Sequence, residues 1–356
     1  MNKINVCVLF GGVSPEHTVS LRSAEAVLNN MDPQKYQIFP VGITKDGRWI
    51  LYGGSDYAEL PDGQWEAHLS NKPAVISPVK GHGLLVFDGE RAEQHFIDVV
   101  FPVLHGENGE DGSVQGLLQL SGIPYVGANV AASAVCMDKT LTKLVMDHVG
   151  IPQAKWLLIK KDDVIYNPEA SLDSVEREFS YPVFVKPAGT GSSVGVSKVK
   201  DRDELFQALN YAAKYDNKIL VEEFIAGREI EVAVIGNSNP AASVCGEIDS
   251  GAEFYDYDAK YVSDTSVAYI PARISQETEE KVRELAVKAY CAAGSRGLSR
   301  VDFFVTYADN RVILNEINTL PGFTSISMYP KLFAASGIAY GDLIDQLLSL
   351  ALETGK

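Results

Sequence analysis

The first apolar run of the chain leads through two glycines into a helical pattern. Ile4–Phe10 is apolar almost throughout, which is typical of a buried parallel strand. Residues 15–30 then carry apolar side chains at helical spacing, and YQIFPVGIT follows as a second strand. Ile97–Leu104 is another apolar run, and SVQGLLQLSG predicts a helix that closes on Gly122. This alternation predicts an open parallel α/β domain up to about residue 125.

The sequence pattern of the rest of the chain predicts hairpins and helices. Asp138–Val149 predicts a helix with Gly150 just beyond its end. The strand YPVFVKP runs through a glycine- and serine-rich turn into a second strand, and we expect KILVEEFI to pair with EIEVAVIG. SRVDFFV and RVILNEIN form a hairpin through the turn YADN, and Tyr340–Leu352 is helical. A chain of 356 residues suggests two or three domains.

Charge and cysteine usage exclude several classes of protein. The net charge of −16 argues against a nucleic-acid-binding or anionic-membrane-binding surface, so a bound nucleotide needs a local basic, glycine-rich site with metal ions. The N-terminus is a poor signal peptide, and no apolar run approaches the ~20 residues that span a bilayer. We therefore expect a cytoplasmic protein. The four scattered cysteines predict buried, reduced thiols rather than a disulfide or zinc site.

The C-terminal hairpin carries the clearest chemistry. Side chains two apart on a strand share a face, so Arg300 and Asp302 point together, as do Glu316 and Asn318. If the strands pair through YADN, these groups converge, and their hard oxygen atoms suit Mg²⁺. The alternative is a salt-bridged surface hairpin. Unpaired carboxylates on an otherwise apolar strand are costly, which favours the metal site.

Two lysines lie next to segments that could cradle phosphates. Lys186 precedes the loop of KPAGTGSSVGVS, whose small residues let backbone N–H groups approach phosphate oxygens. The loop is neither a Walker A motif nor a dinucleotide fingerprint, and a flexible hairpin turn would look the same. Lys139 lies at the start of a helix, where the helix N-terminus already favours anions, although most such lysines are merely solvated.

Acidic residues mark four further segments. EEFIAGREIEV places Glu222, Glu223 and Glu229 around two strands, where they could hold adenine and ribose hydroxyls or be plain surface acids. The segments GGVSPEHTVS and HGENGEDG lie beyond the carboxyl ends of strands, where ligands bind in open α/β sheets. Ser14-Pro15 reads as an N-cap and first helical residue, so stabilisation of the helix dipole would also explain Glu16. EFYDYDAKYVSD is either a surface strand or a lid.

Together these motifs resemble, in order and from Val6 to about residue 345, those of the D-alanine–D-alanine ligases of the ATP-grasp superfamily. The matching segments are GGVSPEHTVSLRSA, HGENGEDGSVQGLLQLSGIPYVG, MDKTLTK, FVKPAGTGSSVGVS, FYDYDAKY, SRVDFF and NEINTLPGFTSISMYP. The resemblance implies an α/β fold, α+β overall, with three domains at 1–125, 126–222 and 223–356. It places substrate at the first domain, ATP between the other two, and the metal site and lid in the last.

The resemblance also implies a role for each matching residue. Phosphate contacts fall to Lys139 and Lys186, with Ser192 and the lid residue Lys260 also at the nucleotide. Adenine and ribose contacts fall to Glu222 and Glu229, with Glu223 beside them. The ligands of two Mg²⁺ ions, for which Mn²⁺ can substitute, are Asp302, Glu316 and Asn318. Oxyanion stabilisation falls to Arg300 and the N–H of Gly322. Substrate contacts fall to Glu16, in a network with Ser193 and Tyr261, and to His105, Ser327 and Met328.

The implied reaction joins two D-alanine molecules through an acyl phosphate, for peptidoglycan precursor synthesis, in a homodimer that binds neither nucleic acid nor membrane. Met328 departs mildly from the leucine common in the family but leaves an apolar pocket. The nearest rivals use D-serine or D-lactate as the second substrate, and the intact Lys-Tyr of FYDYDAKY favours D-alanine. A non-catalytic nucleotide-binding regulator is a third reading, against which the complete metal set argues.

Overall fold

A computed structural model describes residues 3–191, 194–249 and 267–354 of the chain. Within these ranges the strands form three separate sheets. No helix in the described ranges combines the length and apolarity that crossing a membrane requires.

The first sheet has a parallel centre and an antiparallel wing. Strand β1 (Ile4–Gly11) lies between β2 (Tyr36–Ile43) and β7 (Val99–Leu104) and is parallel to both. Helix α1 (His17–Asn30) connects β1 to β2, and helix α2 (Ser113–Ser121) follows β7. Helix α2 ends at Gly122, which has the left-handed conformation. These elements confirm the predicted parallel α/β pattern. The stretch between β2 and β7, for which no regular elements were predicted, adds antiparallel strands in the order β6-β5-β4-β3: β3 (Trp49–Leu51), β4 (Lys72–Ile76), β5 (Leu84–Asp88) and β6 (Arg91–His95), with 3₁₀ turns at Tyr57–Glu59 and Gln64–Ala67.

The second sheet has the order β10-β9-β11-β8. The chain enters it through two consecutive helices, and the predicted helix is confirmed, because Asp138 caps it and Gly150 follows its end with φ +69°. The predicted hairpin of YPVFVKP is also confirmed, since β9 and β10 pair antiparallel. The elements of this region are α3 (Val130–Met137), α4 (Lys139–His148), β8 (Trp156–Lys160), α5 (Lys161–Tyr166), α6 (Pro168–Glu178), β9 (Val183–Pro187), β10 (Ser197–Val199), α7 (Arg202–Ala212) and β11 (Lys218–Glu223).

The third sheet has the order β14-β13-β12-β15-β16, and its last pair is the predicted YADN hairpin. The expected pairing of KILVEEFI with EIEVAVIG is wrong. The first of these strands pairs on its two sides with β8 and β9, and the second with β13 and β15, so neither has an open edge for the other. The elements are β12 (Gly227–Gly236), β13 (Ala241–Asp249), β14 (Val267–Tyr269), α8 (Gln276–Ala292), β15 (Gly297–Thr306), β16 (Val312–Asn318), α9 (Met328–Ala335) and α10 (Tyr340–Thr354).

The core holds the first and third sheets together. One apolar cluster combines residues of β1, α1 and β7 with residues of β12, α9 and α10, and Asp345 of α10 accepts a hydrogen bond of 2.7 Å from the Tyr36 hydroxyl. Three of the four cysteines are buried free thiols, as predicted, whereas Cys291 is exposed. The burial of a common core fixes the carboxyl ends of β1 and β7 close to the end of β16.

Candidate active site

A cavity of about 750 Å³ is lined on one side by the second sheet and on the other by the third. Its apolar wall includes Phe184, Phe224, Phe304 and Leu314. Its polar groups are the lysines and acids that carry most of the predicted chemistry: Lys139, Lys186, Glu222, Glu223, Glu229, Glu316 and Asn318. A cavity of this size, which combines an apolar wall with many charged groups, suits a nucleotide-sized ligand.

The segment that joins the two sheets lines the cavity with its own backbone. Phe224–Ala226 runs between β11 and β12. Just before it, a carboxylate oxygen of Glu223 accepts a hydrogen bond of 2.7 Å from the Lys155 backbone N–H. Glu229 lies on the cavity wall just after it. These positions fit the predicted base and ribose contacts of Glu223 and Glu229, which stay predictions.

Glu222 is buried between two lysines. Lys143 Nζ is 2.5 Å from one of its carboxylate oxygens, and Lys186 forms an ion pair with the other. Burial by itself would raise the pKa of Glu222, but the two ammonium groups outweigh burial and lower the pKa to about 2. The carboxylate therefore stays ionised at neutral pH and holds both lysines in the cavity, a different contact from the adenine or ribose contact that the resemblance implied.

Lys143 is a site residue that the sequence reading missed. Its side chain is only 3% exposed and it lines the cavity one helical turn after Lys139 on α4. Residues four apart on a helix share a face, so the spacing within MDKTLTK was a usable signal once Lys139 had been singled out.

Lys139 joins the start of α4 to the glycine-rich connection after β9. Its backbone N–H donates to the Ala188 carbonyl at 2.9 Å, and its Nζ donates to the Thr190 carbonyl at 2.6 Å. The helix N-terminus, its lysine and the loop therefore meet at one point of the cavity, as a phosphate site requires. Ser192 and Ser193, predicted in this loop, lie outside the described residues, as do Lys260 and Tyr261 of the predicted lid.

The predicted metal residues meet on the β15–β16 hairpin. Arg300 is paired in register with Asn318, and Asp302 with Glu316. Asn318 Nδ2 donates to an Asp302 carboxylate oxygen at 2.9 Å, and Glu316 and Asn318 line the cavity. Within the described ranges no cluster of three or more His, Cys, Asp or Glu side chains could hold a metal unaided. Two carboxylates and an amide fit Mg²⁺ that is bound together with substrate phosphates.

Arg300 is buried next to this donor set. It donates two hydrogen bonds to Asp302, at 2.8 and 2.7 Å, and its Nε is 3.2 Å from a carboxylate oxygen of Glu231. Burial alone would lower the pKa of Arg300, but Asp302 and Glu231 outweigh it and hold the pKa well above its usual value. The guanidinium is therefore a fixed positive charge, and Glu231 is a supporting acid that the sequence reading missed.

Glu16 lies where the first domain meets the glycine-rich loop. It occupies the N-cap position of α1, which begins at His17, so the expectation of Ser14 as N-cap and Pro15 as first helical residue is wrong. The Glu16 side chain makes no capping hydrogen bond to this helix. A Cβ placed on Gly106 would be 2.5 Å from its Oε2, and one on Gly191 would be 3.1 Å away.

His105 is buried and Glu110 is partly buried beside Glu16. The His105 ring contacts the Leu320 carbonyl through Nδ1 at 3.0 Å and the Ser23 hydroxyl through Nε2 at 3.2 Å. Burial lowers the pKa of His105 despite the opposing charge of Glu16, so the ring is neutral at pH 7. Both ring nitrogens thus bind protein groups, which makes the ring a support for neighbouring loops in addition to the substrate contact predicted for it.

The segment after β16 carries the remaining predicted residues. Ser327 Oγ accepts a hydrogen bond of 3.0 Å from the Thr324 N–H, and a Cβ on Gly322 would be 2.9 Å from this hydroxyl oxygen. Met328 is buried, and a Cβ on Gly246 would be 2.3 Å from its terminal methyl group. A side chain on Gly322 would therefore require the Ser327 hydroxyl to shift, and Met328 is packed against β13.

Comparison with known proteins adds a consistent result. Residues 5–128 match the family described as D-ala D-ala ligase N-terminus, and residues 145–349 match D-ala D-ala ligase C-terminus. The D-alanine–D-alanine ligase of Acetivibrio thermocellus is 50% identical over 99% of this chain and 96% of its own, and that of Caldicellulosiruptor bescii is 50% identical over 100% and 97%.

Solved structures agree with these relatives. The VanG D-Ala:D-Ser ligase from Enterococcus faecalis superposes with a TM-score of 0.90 at 38% identity, covering 98% of this chain and 100% of its own. The D-alanine–D-alanine ligase from Coxiella burnetii superposes with a TM-score of 0.82 at 37% identity, covering 100% and 95%.

Proposed function

The chain belongs to the family of D-alanine–D-alanine ligases, and on that premise we propose that it joins two D-alanine molecules into D-alanyl-D-alanine with ATP as the energy source. The product serves as a peptidoglycan precursor. The observation that carries the proposal is a single cavity lined both by Lys139, Lys143 and Lys186 and by Glu316 and Asn318. Cations and oxygen ligands gathered around one cavity can hold a polyphosphate between them.

In the first step, a carboxylate oxygen of one D-alanine attacks the γ-phosphorus of ATP, and the bond to the bridging oxygen breaks to release ADP. Lys139 and Lys186 hold the phosphate oxygens and stabilise the charge that spreads over them. Glu222 keeps Lys186 in place. Asp302, Glu316 and Asn318 would hold Mg²⁺, which supplies additional charge neutralisation when bound.

In the second step, the amine nitrogen of the other D-alanine attacks the acyl carbon. The amine loses a proton, a tetrahedral oxyanion forms, and the bond to the phosphate oxygen then breaks. We assign stabilisation of the oxyanion to the Gly322 N–H and the Arg300 guanidinium. Glu16 holds the ammonium group of the first D-alanine, in the network that we propose includes Ser193 and Tyr261. Ser327 and Met328 border the site of the second D-alanine.

The proposal is tested by ADP release as a function of added D-alanine, with L-alanine as the control and mass spectrometry of the product. We expect D-alanine-dependent release of ADP in equal amount to D-alanyl-D-alanine. ADP release that does not respond to D-alanine, or the absence of dipeptide, would refute the proposal.

A second substrate other than D-alanine is the alternative that one observation favours, because the VanG D-Ala:D-Ser ligase superposes with a TM-score of 0.90. The relatives at 50% identity are D-alanine–D-alanine ligases, which favours D-alanine here. Equimolar D-alanine, D-serine and D-lactate in competition at neutral pH should give mainly D-alanyl-D-alanine. Predominance of D-Ala-D-Ser or of the depsipeptide would reverse the assignment.

The organisation of the chain is also part of the proposal. We assign substrate binding to residues 1–125, and nucleotide binding to 126–222 together with 223–356, a division that the three separate sheets support. We further propose a homodimer, which sedimentation velocity at micromolar concentration would test. The net charge of −16 supports the absence of a nucleic-acid partner.

A further inference from the structure

The turn from Leu320 to Phe323 contains the proposed oxyanion donor. Pro321 has no N–H, so the backbone donors of this turn are those of Leu320, Gly322 and Phe323. Buried backbone donors are almost always paired. Where each of the three donates therefore shows which of them is available to a ligand.

The two outer donors are bound by side chains of the first domain. The Leu320 N–H donates to a Glu110 carboxyl oxygen at 3.2 Å. The Phe323 N–H donates to the Ser23 hydroxyl at 3.2 Å. Both acceptors lie more than 200 residues away along the chain.

The carbonyl groups of the two outer residues of the turn are bound as well. The Leu320 carbonyl accepts from His105 Nδ1 at 3.0 Å, and the Phe323 carbonyl accepts from the Tyr340 hydroxyl. A carbonyl can only accept, so Nδ1 carries the proton, and Nε2 of the neutral ring accepts from the Ser23 hydroxyl at 3.2 Å. The Ser23 hydroxyl oxygen in turn accepts from the Phe323 N–H, so every hydrogen bond of this network has one consistent direction.

Gly322 is the exception. Its N–H donates to no residue in the described part of the chain, and Gly322 is partly exposed. The peptide plane that carries this N–H lies between Leu320 and Phe323, and buried hydrogen bonds to the backbone groups of these two residues fix the ends of the turn.

We propose that Ser23, His105 and Glu110 are positioning residues that form a clamp on this turn and aim the Gly322 N–H at the oxyanion of the second step. The inference rests on the proposed function. Glu110 links the clamp to the substrate loop, because its other carboxyl oxygen accepts from the Gly106 N–H at 2.8 Å. Residues of the first domain thereby orient the Gly322 N–H, a donor that belongs to the last domain.

The clamp predicts a selective kinetic defect. An oxyanion develops when the amine attacks the acyl carbon and not when the phosphoryl group is transferred. Loss of one oxyanion-hole donor typically lowers kcat by ~10²–10³-fold, and a misplaced donor falls short of that. We therefore expect clamp variants to lose at least about tenfold in dipeptide formation and to retain acyl-phosphate formation.

The experiment compares Ser23→Ala and Glu110→Gln in the full chain. Glu110→Gln removes one acceptor, because an amide nitrogen accepts no hydrogen bond. Acyl-phosphate formation is followed by D-alanine-dependent positional isotope exchange in ¹⁸O-labelled ATP, and dipeptide formation by mass spectrometry. Ser121→Ala and Asp98→Asn are the matched controls, since Ser121 is a buried serine that bonds the Leu118 carbonyl and Asp98 accepts from the Asn5 N–H at 2.7 Å, both outside the clamp.

The expected result is a fall of tenfold or more in the kcat of dipeptide formation for both clamp variants, with isotope exchange and the KM for ATP within about threefold of wild type. The controls should retain both activities. Equal losses in both steps, or unchanged dipeptide formation, would overturn the clamp. If Glu110→Gln does not fold, Ser23→Ala, which removes one buried hydroxyl, decides the question alone. Wild-type protein without D-alanine-dependent exchange would instead refute the proposed function.

Discussion

Replacing Glu222 by glutamine should destabilise the protein sharply in the absence of nucleotide. The carboxylate is the counter-charge of Lys143 and Lys186, whose side chains are 3% and 15% exposed. Removing one partner of a buried ion pair costs about 3–5 kcal/mol because it leaves buried charge uncompensated. The depression of the pKa of Glu222 from 4.5 to about 2 corresponds to roughly 3 kcal/mol at 1.36 kcal/mol per pH unit, which agrees.

The measurement is the thermal midpoint at pH 7 with and without ATP. A loss of 3–5 kcal/mol lowers the midpoint by roughly 6–20 °C for a melting unit of 150–250 residues. ATP should raise the thermal midpoint of Glu222→Gln more than that of wild type, because the ATP phosphates replace the missing negative charge. Glu178→Gln is the control: its pair with Lys155 is about half exposed on both sides, so the loss should stay below about 1 kcal/mol.

The pH dependence has a defined sign. The folded-state pKa of Glu222 lies below its unfolded value, so its contribution to stability is present above about pH 4.5 and is lost as pH falls towards 2. The difference in thermal midpoint between wild type and Glu222→Gln should therefore become smaller as the pH falls from about 4.5 towards 2. A Glu222→Gln midpoint as high as that of Glu178→Gln at pH 7 would refute this account of the lysine cluster.

Three further predictions concern the metal site and the substrate loop. Glu316→Gln should abolish D-alanine-dependent ADP release while leaving a folded protein by circular dichroism, and unchanged turnover would falsify its metal role. Gly106→Ala should raise the KM for D-alanine by at least tenfold, since its Cβ would be 2.5 Å from the Glu16 carboxylate; Gly81→Ala, also at positive φ but with nothing within 4 Å, should not. Burial and then Glu16 raise the pKa of Glu110 to about 8, so its stabilising contribution is present below pH 4.5 and lost as pH rises through 8. The free energy of unfolding, measured in urea, should therefore fall more from pH 5 to 8 for wild type than for Glu110→Gln. Parallel pH profiles of the two proteins would contradict this.

The parts of the fold that were predictable from sequence depend on local chemistry. The hairpin follows from a short polar turn, and a period of two residues places Arg300 with Asp302 and Glu316 with Asn318 on shared faces. The pairs Arg300–Asn318 and Asp302–Glu316 also depend on a register shift between Asp302 and Phe303, which the sequence did not predict. The cap at Asp138 and the left-handed glycine at Gly150 are likewise set by neighbours in the chain. The metal residues could be grouped from sequence for the same reason.

The failures come from competition between distant strands. KILVEEFI and EIEVAVIG are both apolar and separated by a short glycine-containing link, so their local pattern fits a hairpin as well as a crossover between sheets. The structure gives β11 two partners from its own sheet, a choice decided by burial on both faces rather than by the link. The antiparallel wing of the first sheet was missed because its strands are short and its edge strand, β6, is mostly exposed and polar.

Site residues were found or missed by a similar rule. Groups expected to touch ligand lie in recognisable loops, whereas the groups that hold them in place come from elsewhere in the chain. Lys143 and Glu231 support Glu222 and Arg300 from a helix face and a neighbouring strand, and only Lys143, four residues after Lys139, had a usable signal in the sequence. A buried charge needs its counter-charge within a few ångströms in space, and sequence separation carries no information about that distance.

This separation of donors from their supports has a consequence for catalysis. If the Gly322 N–H is aimed by Ser23 and Glu110, the oxyanion site exists only while the first domain is docked on the last. Both steps need the docked first domain, because Glu16 holds the first D-alanine, and attack on the acyl carbon additionally needs the aimed Gly322 N–H. The acyl carbon is then reactive towards the amine only in the arrangement that also encloses the substrate, which protects the acyl phosphate from water.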